Sequence, residues 1–296
     1  MNKQVCAVVV TYNRKALLLE CLNALLAQNY PVERILLIDN ASTDGTTELL
    51  REKGYLDNSL VEYLRLPTNT GGAGGFHEGI KWAYKEGYEW IWVMDDDTIP
   101  DPNALSELFV AYQRFDKAQQ PKLLASKVIW LDGSLHTMNS PAVKISDDEN
   151  SILAAQHSTL SVRHTTFVST LLHRMTVEQY GLPIADYFIW VDDIEYTARI
   201  LRNEFGVLVP NSLVLHKTVN KHTWKDNNSG KAYYHVRNNL WMLTRSSAWS
   251  RNDKVKRGVS FLWHVLAWLS HSRFRWSSVR PVFLGLKDGF LKVPKQ

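Results

Sequence analysis

The sequence predicts a doubly wound α/β fold with a mainly parallel sheet, and two observations support the prediction. Short apolar runs alternate along the chain with segments in which apolar residues recur at helical spacing. Several apolar runs end directly in polar or acidic residues, as buried parallel strands do where their carboxyl ends line a ligand site. The 296 residues are 45% hydrophobic and 22% charged, which excludes disordered and fibrous classes.

The elements are predicted in order from these patterns. The first apolar run, VCAVVV, is a strand that is followed at once by polar residues, so we do not expect a signal peptide. Strands are predicted at residues 5–10, 34–38, 61–66, 89–94, 123–130 and 207–215. Helices are predicted at 16–27, 43–53, 77–86 and 101–119, and from about 184. Residues 69–75 are predicted to form a glycine-rich loop, and no apolar run is long enough to span a bilayer.

The residues that follow the predicted strands are the first candidates for a ligand site. Such a nucleotide site would contain Thr11, Asn13 and Arg14 after the first strand, Asp39 after the second, and Asn69, Gly71 and Gly72 in the glycine-rich loop. Each of these residues also has a structural interpretation. Asp39 is equally suited to capping a helix, and the glycines to forming a tight turn.

Three adjacent aspartates, Asp95, Asp96 and Asp97, follow the apolar run WIWVM. Like charges at a strand end repel one another unless a cation compensates them. Carboxylate oxygens suit Mg²⁺ or Mn²⁺, either of which can bridge to a diphosphate. The pattern therefore fits a divalent metal site, and it fits a solvated acidic turn equally well.

A second acidic cluster lies among aromatic residues in the segment WVDDIEY, which contains Trp190, Asp192, Asp193 and Glu195. A carboxylate in apolar surroundings is suited to act as a general base for a sugar hydroxyl, while aromatic rings stack on the sugar. The alternative is the acidic first turn of an amphipathic helix. His216, at the end of a predicted strand, is either a metal ligand or a structural histidine.

In combination, these motifs resemble family 2 inverting glycosyltransferases, which have the GT-A fold. The segments VVVTYNR, LIDNASTDGT, NTGGAGGF, VMDDDT and WVDDIEY occur in that family's order, over about residues 5–216. The GGAGGF and DDD elements look most like bacterial galactofuranosyltransferases, with rhamnosyltransferases next. The resemblance implies transfer of galactofuranose from UDP-galactofuranose, or of rhamnose from dTDP-rhamnose. The acceptor would be a saccharide or lipid-linked saccharide in cell-surface polysaccharide synthesis, such as that of O antigen.

The resemblance also implies a role for each motif residue. Asp193 matches the catalytic base, Asp95 and Asp97 match the metal and diphosphate ligands, and His216 matches a histidine that completes the metal shell. Thr11, Asn13, Arg14, Asp39, Asn69, Gly71, Gly72 and Asp96 would bind the nucleotide sugar, and Trp190, Asp192, Glu195 and Arg237 the acceptor. Arg237 and Asn238 lie in the segment YYHVRNN, which resembles a family element near the acceptor or diphosphate.

Charge is distributed unevenly along the chain. Residues 245–296 hold six Arg and five Lys against two Asp, a formal charge of +9, whereas the whole chain carries +4. We therefore predict a catalytic domain at 1–244, with a nucleotide-sugar half at 1–100 and an acceptor half at 101–244, and a basic, Trp-rich helical extension at 245–296.

The basic extension has three open interpretations. It is an interfacial segment on a membrane, a helical subdomain packed on the core, or a nucleic-acid-binding region. The last is disfavoured because the acidic strand ends would repel phosphate, so we expect no nucleic-acid partner. The chain has only two cysteines, which is consistent with a reducing cytosol. We therefore expect a cytoplasmic enzyme, which would be peripheral at the inner face of the cytoplasmic membrane if the extension is an interfacial segment.

Overall fold

A computed structural model describes residues 4–219 and 229–295, and within them the chain forms one mixed sheet flanked by helices. The strands are β1 (Val5–Thr11), β2 (Arg34–Asp39), β3 (Val61–Arg65), β4 (Trp90–Asp95), β5 (Thr98–Pro100), β6 (Leu123–Ile129), β7 (Ala142–Val143), β8 (Leu160–His164), β9 (Thr170–His173) and β10 (Gly206–His216). The helices are α1 (Lys15–Leu26), α2 (Thr46–Glu52), α3 (Gly71–Lys85), α4 (Ala104–Gln113), α5 (Glu149–Gln156), α6 (Arg174–Tyr180), α7 (Asp192–Ile200), α8 (Ser229–Thr244), α9 (Arg251–His271) and α10 (Trp276–Leu291).

The strand order is β3-β2-β1-β4-β9-β6-β10-β8-β7, with β5 paired to β10 outside this path. β1, β2, β3 and β4 are parallel to their neighbours within this group, and β6 is parallel to β10. β9 lies antiparallel between β4 and β6 and so joins the two parallel groups. The α/β class predicted from the alternating pattern is confirmed, and the antiparallel strands belong to its second half.

Helices cover both faces of the sheet. Alternate side chains of the buried strands point to opposite faces, so two apolar clusters form. Leu18 of α1 and Leu105 of α4 pack in the first cluster, and Ile80 of α3 and Tyr196 of α7 pack in the second. The result is a three-layer domain in which the carboxyl ends of the parallel strands β1 to β4 lie at one edge of the sheet.

The structure corrects the prediction of a glycine-rich loop at 69–75, because α3 already begins at Gly71. A Cβ at Gly75 would lie 2.5 Å from Val10, and one at Gly79 would lie 2.3 Å from Val8. These glycines therefore allow α3 to lie close against β1. Glycine has a low helix propensity, and the glycine-rich segment was therefore predicted to be a loop. Close packing of α3 on the sheet outweighs that low propensity.

Three helices follow the last strand. α8 and α10 pack along one another, and a Cβ at Gly285 of α10 would lie 2.8 Å from the carbonyl oxygen of Tyr233 in α8. Val265 and Trp268 of α9 join the same apolar cluster. Among the described residues, none of the helices has the length and apolar character that crossing a bilayer requires. The domain boundary at residue 245 stays a prediction.

Candidate active site

The carboxyl ends of the first parallel strands bring the predicted strand-end residues together. Thr11 pairs with Asp39 in the β1–β2 register, and Val10 pairs with Asp95 in the β1–β4 register. The Thr11 hydroxyl donates a hydrogen bond to Asp96 Oδ2 at 2.7 Å. Residues from three strands that are separate in sequence thus meet at one edge of the sheet, where ligands of open α/β folds bind.

His216 reaches this edge from the second half of the chain. The short strand β5 directly follows the three aspartates and pairs antiparallel with β10, so that Thr98 lies opposite His216. His216 Nε2 lies 2.9 Å from Asp97 Oδ1, and both side chains are buried. The helix predicted at 101–119 begins instead at Ala104, and β5, which the prediction did not include, is the element that places His216 here.

Asp95, Asp97 and His216 offer one potential metal ligand atom each, and these atoms lie within 4.8 Å of one another. Two carboxylates and an imidazole form a set of ligands that suits Mn²⁺. Mg²⁺ can bind the two carboxylates. The buried Nδ1 of His216 has no hydrogen-bond partner among the residues described. The residues present therefore fit a divalent cation.

Burial and mutual repulsion shift the titration of the three aspartates. Burial, together with the charges of Asp97 and Asp96, raises the pKa of Asp95 well above its ordinary value. Burial also raises the pKa of Asp96 to about 6. Burial opposes ionisation of Asp97 as well, but the hydrogen bond and charge of His216, with the charge of Arg14, lower its pKa. Ionisation of all three buried aspartates is thus opposed by burial and by their mutual repulsion, and a bound cation would relieve both.

Arg14 is the internal counter-ion of the aspartates. Its Nη1 lies 2.6 Å from Asp97 Oδ2 and 3.4 Å from Asp96 Oδ1, while its side chain is 52% exposed. A half-exposed guanidinium can exchange a carboxylate partner for the phosphate of a ligand. The backbone N–H of neighbouring Asn13 donates to Ser42 Oγ at 3.0 Å, and its Oδ1 accepts from the N–H of Thr43 at 2.7 Å. Asn13 thus holds the loop that follows β2.

Asp39 is fully buried, and each oxygen of its carboxylate accepts a hydrogen bond from a neighbouring residue. Its Oδ1 accepts from the N–H of Ser42 at 2.8 Å, and its Oδ2 accepts from the Tyr63 hydroxyl at 2.7 Å. Burial and the hydrogen bond to this carboxylate raise the pKa of Tyr63 to about 12. Tyr63 was not predicted as a site residue, because no sequence motif marks it. It lies beside Asp39 because of the β2–β3 register, in which Leu37 is opposite Tyr63.

The start of α3 contacts the segment that leads to the second acidic cluster. The Oδ1 of Asn69 accepts from the N–H of Gly71 at 2.8 Å, so Asn69 holds the first turn of the helix. Gly71 has a φ of +73°, and a Cβ there would lie 1.9 Å from the carbonyl oxygen of Phe188. Only glycine fits this position. Gly72, in contrast, faces open space.

Asp193 lies in the first turn of α7, after a strained segment. Phe188, Trp190 and Val191 have φ values of 65°, 66° and 72°. Non-glycine residues adopt this left-handed conformation only where the surroundings enforce it. Burial raises the pKa of Asp193 to about 6, and the charge of Asp193 in turn contributes to the raised pKa of Asp95. The predicted base therefore lies close enough to the metal-ligand cluster to interact with it electrostatically.

The comparisons with known proteins agree with this geometry. Residues 6–139 match the model of the family described as glycosyl transferase family 2. The galactofuranosyltransferase GlfT1 of Mycobacterium tuberculosis is 24% identical, over 99% of this chain and 98% of its own length. GlfT1 of Mycolicibacterium smegmatis is 28% identical over 67% of this chain and 66% of its own length. These matches support the predicted resemblance to family 2 glycosyltransferases close to the galactofuranosyltransferases.

Solved structures show the same fold as this glycosyltransferase. S. aureus TarS in complex with UDP-GlcNAc superposes with a TM-score of 0.64 at 14% identity, covering 98% of this chain and 82% of that one. The mannosyltransferase PcManGT of Pyrobaculum calidifontis, in complex with GDP-Man and Mn²⁺, gives 0.55 at 15% identity, covering 99% and 87%. The GT-A fold predicted for this enzyme is confirmed.

The predicted acceptor residues of the glycosyltransferase do not all meet at Asp193. Glu195 is buried, and its Oε1 accepts from Arg199 Nε at 2.9 Å and from the Ser246 hydroxyl at 2.6 Å. Arg237 donates from Nη2 to the carbonyl oxygens of Asp186 at 2.7 Å and Tyr187 at 3.0 Å. These contacts give both side chains structural partners, and their acceptor roles stay predictions.

Trp190 and Asp192 lie closer to the predicted base. Trp190 is partly exposed in the strained segment, with Lys231 Nζ 5.7 Å from its ring centroid. Asp192 is buried directly beside Asp193, and burial together with the charge of Asp193 raises the pKa of Asp192 well above its ordinary value. An acceptor contact of either residue stays a prediction.

Asn238 of the glycosyltransferase holds the strained segment in place. Its Nδ2 donates to the carbonyl oxygens of Tyr187 at 2.9 Å, Ile189 at 2.8 Å and Trp190 at 2.9 Å. Asn238 is completely buried. Asn238 thus holds the backbone that leads to Asp193. The expected location of the segment YYHVRNN near the acceptor or diphosphate stays a prediction.

Proposed function

We propose that this enzyme transfers galactofuranose from UDP-galactofuranose, with inversion, to a saccharide or lipid-linked saccharide acceptor in cell-surface polysaccharide synthesis. The observation that carries the donor assignment is the similarity to GlfT1, which extends over nearly the full length of both chains. The group formed by Asp95, Asp97 and His216 supports the reaction class, together with Asp193, whose charge contributes to the raised pKa of Asp95.

In this proposal the nucleotide is held by the ends of the first strands. Asp39 and Thr11 lie at the base and ribose side, and Arg14 turns from the aspartates to the diphosphate. A divalent cation held by Asp95, Asp97 and His216 would neutralise charge on the departing diphosphate. Mn²⁺ is our first choice, because the donor set includes an imidazole.

Asp193 is proposed as the general base. Its carboxylate takes the proton of the acceptor hydroxyl while that oxygen forms the new bond to the anomeric carbon. The bond between that carbon and the diphosphate oxygen breaks in the same step, and its electron pair leaves with UDP. One displacement inverts the anomeric centre. A pKa of about 6 suits this role, since the group is ionised at neutral pH and still basic enough to accept a proton.

A donor panel scored by nucleoside diphosphate release tests the donor assignment. UDP-galactofuranose should give the highest turnover, and dTDP-rhamnose is the principal competitor. Preference for dTDP-rhamnose would replace the assignment by a rhamnosyltransferase. Release without any acceptor would be slow hydrolysis, and release from no donor in the panel would overturn the proposal.

Substitution of the base tests the mechanism. Asp193→Asn should lower turnover by about 10²- to 10⁴-fold, the usual contribution of a general base, while UDP binding persists. The matched control is Asp186→Asn, since Asp186 lies in the segment that precedes Asp193 and its carboxylate accepts a hydrogen bond from the backbone N–H of Lys295. Normal turnover of Asp193→Asn would remove the base assignment without affecting that of the donor.

A further inference from the structure

An apolar stripe lies exposed on one face of α9. It consists of Val255, Val259, Leu262, Trp263 and Leu266, whose side chains are each between 46% and 69% exposed. Their spacing of four, seven, eight and eleven residues from Val255 places them on one side of a helix. The opposite side, with Val265 and Trp268, packs against α8 and α10. The stripe is therefore a second apolar face that no described residue covers.

Exposed apolar side chains continue beyond the end of α9. Phe274 and Trp276, at the turn into α10, are 60% and 73% exposed. Phe283 and Phe290 of α10 are also exposed, on the side away from Gly285 and Gly289, which face α8. An exposed apolar surface of this extent usually marks an interaction site.

Cations surround these apolar side chains. The exposed basic residues between 245 and 296 are Arg245, Arg251, Lys256, Arg273, Arg275, Arg280, Lys287, Lys292 and Lys295. Asp253 and Asp288 are the acidic residues between 245 and 296, and both accept hydrogen bonds from neighbouring side chains. Arg280 and Lys287 lie on the same side of α10 as Phe283, because the three positions fall within one helical face. The surface thus combines apolar side chains with excess positive charge.

We propose that α9, the turn after it and α10 dock this protein on the surface of a lipid bilayer that contains anionic lipids. Charge complementarity selects this occupant. A second copy of the chain would bring two regions of charge +9 together. Nucleic acid would use the cations and the tryptophans, but the aliphatic Val255, Val259 and Leu262 cannot stack on bases. Apolar side chains among cations are what insertion below anionic headgroups requires.

The mode of docking is peripheral. The stripe from Val255 to Leu266 extends over roughly 16 Å of helix at 1.5 Å per residue, so α9 would lie in the plane of the interface with the stripe among the acyl chain ends. The inference goes beyond the proposed sugar transfer and does not depend on the donor. It does supply a reason for a lipid-linked acceptor.

Co-sedimentation of the intact chain with vesicles tests the inference. One set of vesicles is pure phosphatidylcholine, and the other contains about 30% phosphatidylglycerol, an anionic lipid of the kind that attracts basic segments. We expect binding to the anionic vesicles, with a blue shift of tryptophan fluorescence, and much weaker binding to the neutral ones. No binding to the anionic vesicles would overturn the proposal.

Paired variants separate the apolar from the electrostatic contribution. Leu262→Ser with Trp263→Ser should weaken binding to anionic vesicles about tenfold or more. Arg280→Glu with Lys287→Glu should do the same, and should also remove the preference over neutral vesicles. The matched control for the apolar pair is Leu60→Ser combined with Val110→Ser. The matched control for the charge pair is Lys85→Glu combined with Lys117→Glu. All four control residues are exposed and lie outside this surface.

The controls decide the interpretation. Equal losses of vesicle binding in the control pairs would show nonspecific adsorption and overturn the proposal. Concentration-dependent dimerisation through the stripe would also overturn it, as would binding of a single-stranded oligonucleotide without binding of vesicles. Melting temperatures should be unchanged, because every substituted side chain is exposed. Vesicle binding needs no donor, so its failure leaves the proposed transfer reaction intact.

Discussion

Replacing Asn238 by alanine is expected to destabilise the segment before the proposed base. The Asn238 amide has two N–H hydrogens, which are shared among three backbone carbonyls at 2.8–2.9 Å, and its Oδ1 accepts from Arg237 Nε at 3.0 Å. A buried polar group that loses its partner costs about 1–3 kcal/mol. Loss of the two donated hydrogen bonds therefore lowers the free energy of unfolding by about 2–6 kcal/mol.

The same substitution should affect catalysis more than donor binding. Without Asn238 the left-handed residues Phe188, Trp190 and Val191 lose the contacts that hold them, and each such conformation costs about 1–3 kcal/mol to maintain. The segment would relax and move Asp193. Misplacement of a reacting group by about 1 Å can cost 10²-fold in rate. We expect turnover to fall at least about tenfold, with UDP affinity unchanged, because the proposed nucleotide residues lie on other elements.

Urea unfolding, turnover at saturating donor and UDP binding together provide the assay. Asn239→Ala is the matched control, because Asn239 Nδ2 donates to the His235 carbonyl within the same helix and, among the described residues, has no side-chain hydrogen bond to another segment. Asn238→Asp should cost more than Asn238→Ala, since a carboxylate would face three carbonyl oxygens. The reasoning is refuted if Asn238→Ala unfolds within about 0.5 kcal/mol of Asn239→Ala and turns over normally.

Three further predictions concern the site. Gly71→Ala should lower the free energy of unfolding by several kcal/mol, because the new Cβ would overlap the Phe188 carbonyl and the residue has a left-handed φ. Gly72 faces open space, so Gly72→Ala should be neutral or stabilising by up to about 1 kcal/mol. Thermal unfolding of the two variants compares these effects. Because the pKa of Asp193 is raised to about 6, its carboxylate is protonated in acid and the transfer rate should rise with pH through about 6. One pH unit below this pKa, the rate should be about a tenth of its value at high pH. A flat rate profile between pH 5 and 7 would contradict this prediction. His216→Ala should weaken Mn²⁺ binding, measured by electron paramagnetic resonance without substrate, by about tenfold or more, and equal loss in the exposed His271→Ala would argue against a specific ligand.

The first half of the fold could be predicted because its elements are defined by local patterns. The strands that end in Thr11, Asp39 and Asp95 were all placed to within about two residues. The second half was predicted less well. Short antiparallel strands such as β8 and β9 carry little periodicity, and their pairing partners are distant in sequence. The helical start of α3 was missed because its glycines serve packing against β1, which no local pattern shows.

By itself, the sequence determined the chemistry that is available at the site: three aspartates after a buried strand, a second acidic cluster among aromatics, and a basic, apolar C-terminal region. Tertiary structure alone decided which of these groups meet. The pairing of β5 with β10 brings His216 to within 2.9 Å of Asp97, although 119 positions separate them in the chain. The strained turn clamped by Asn238 and the start of α3 positions Asp193. Strand pairing and close packing join residues that are far apart along the chain, and local sequence does not encode those distances.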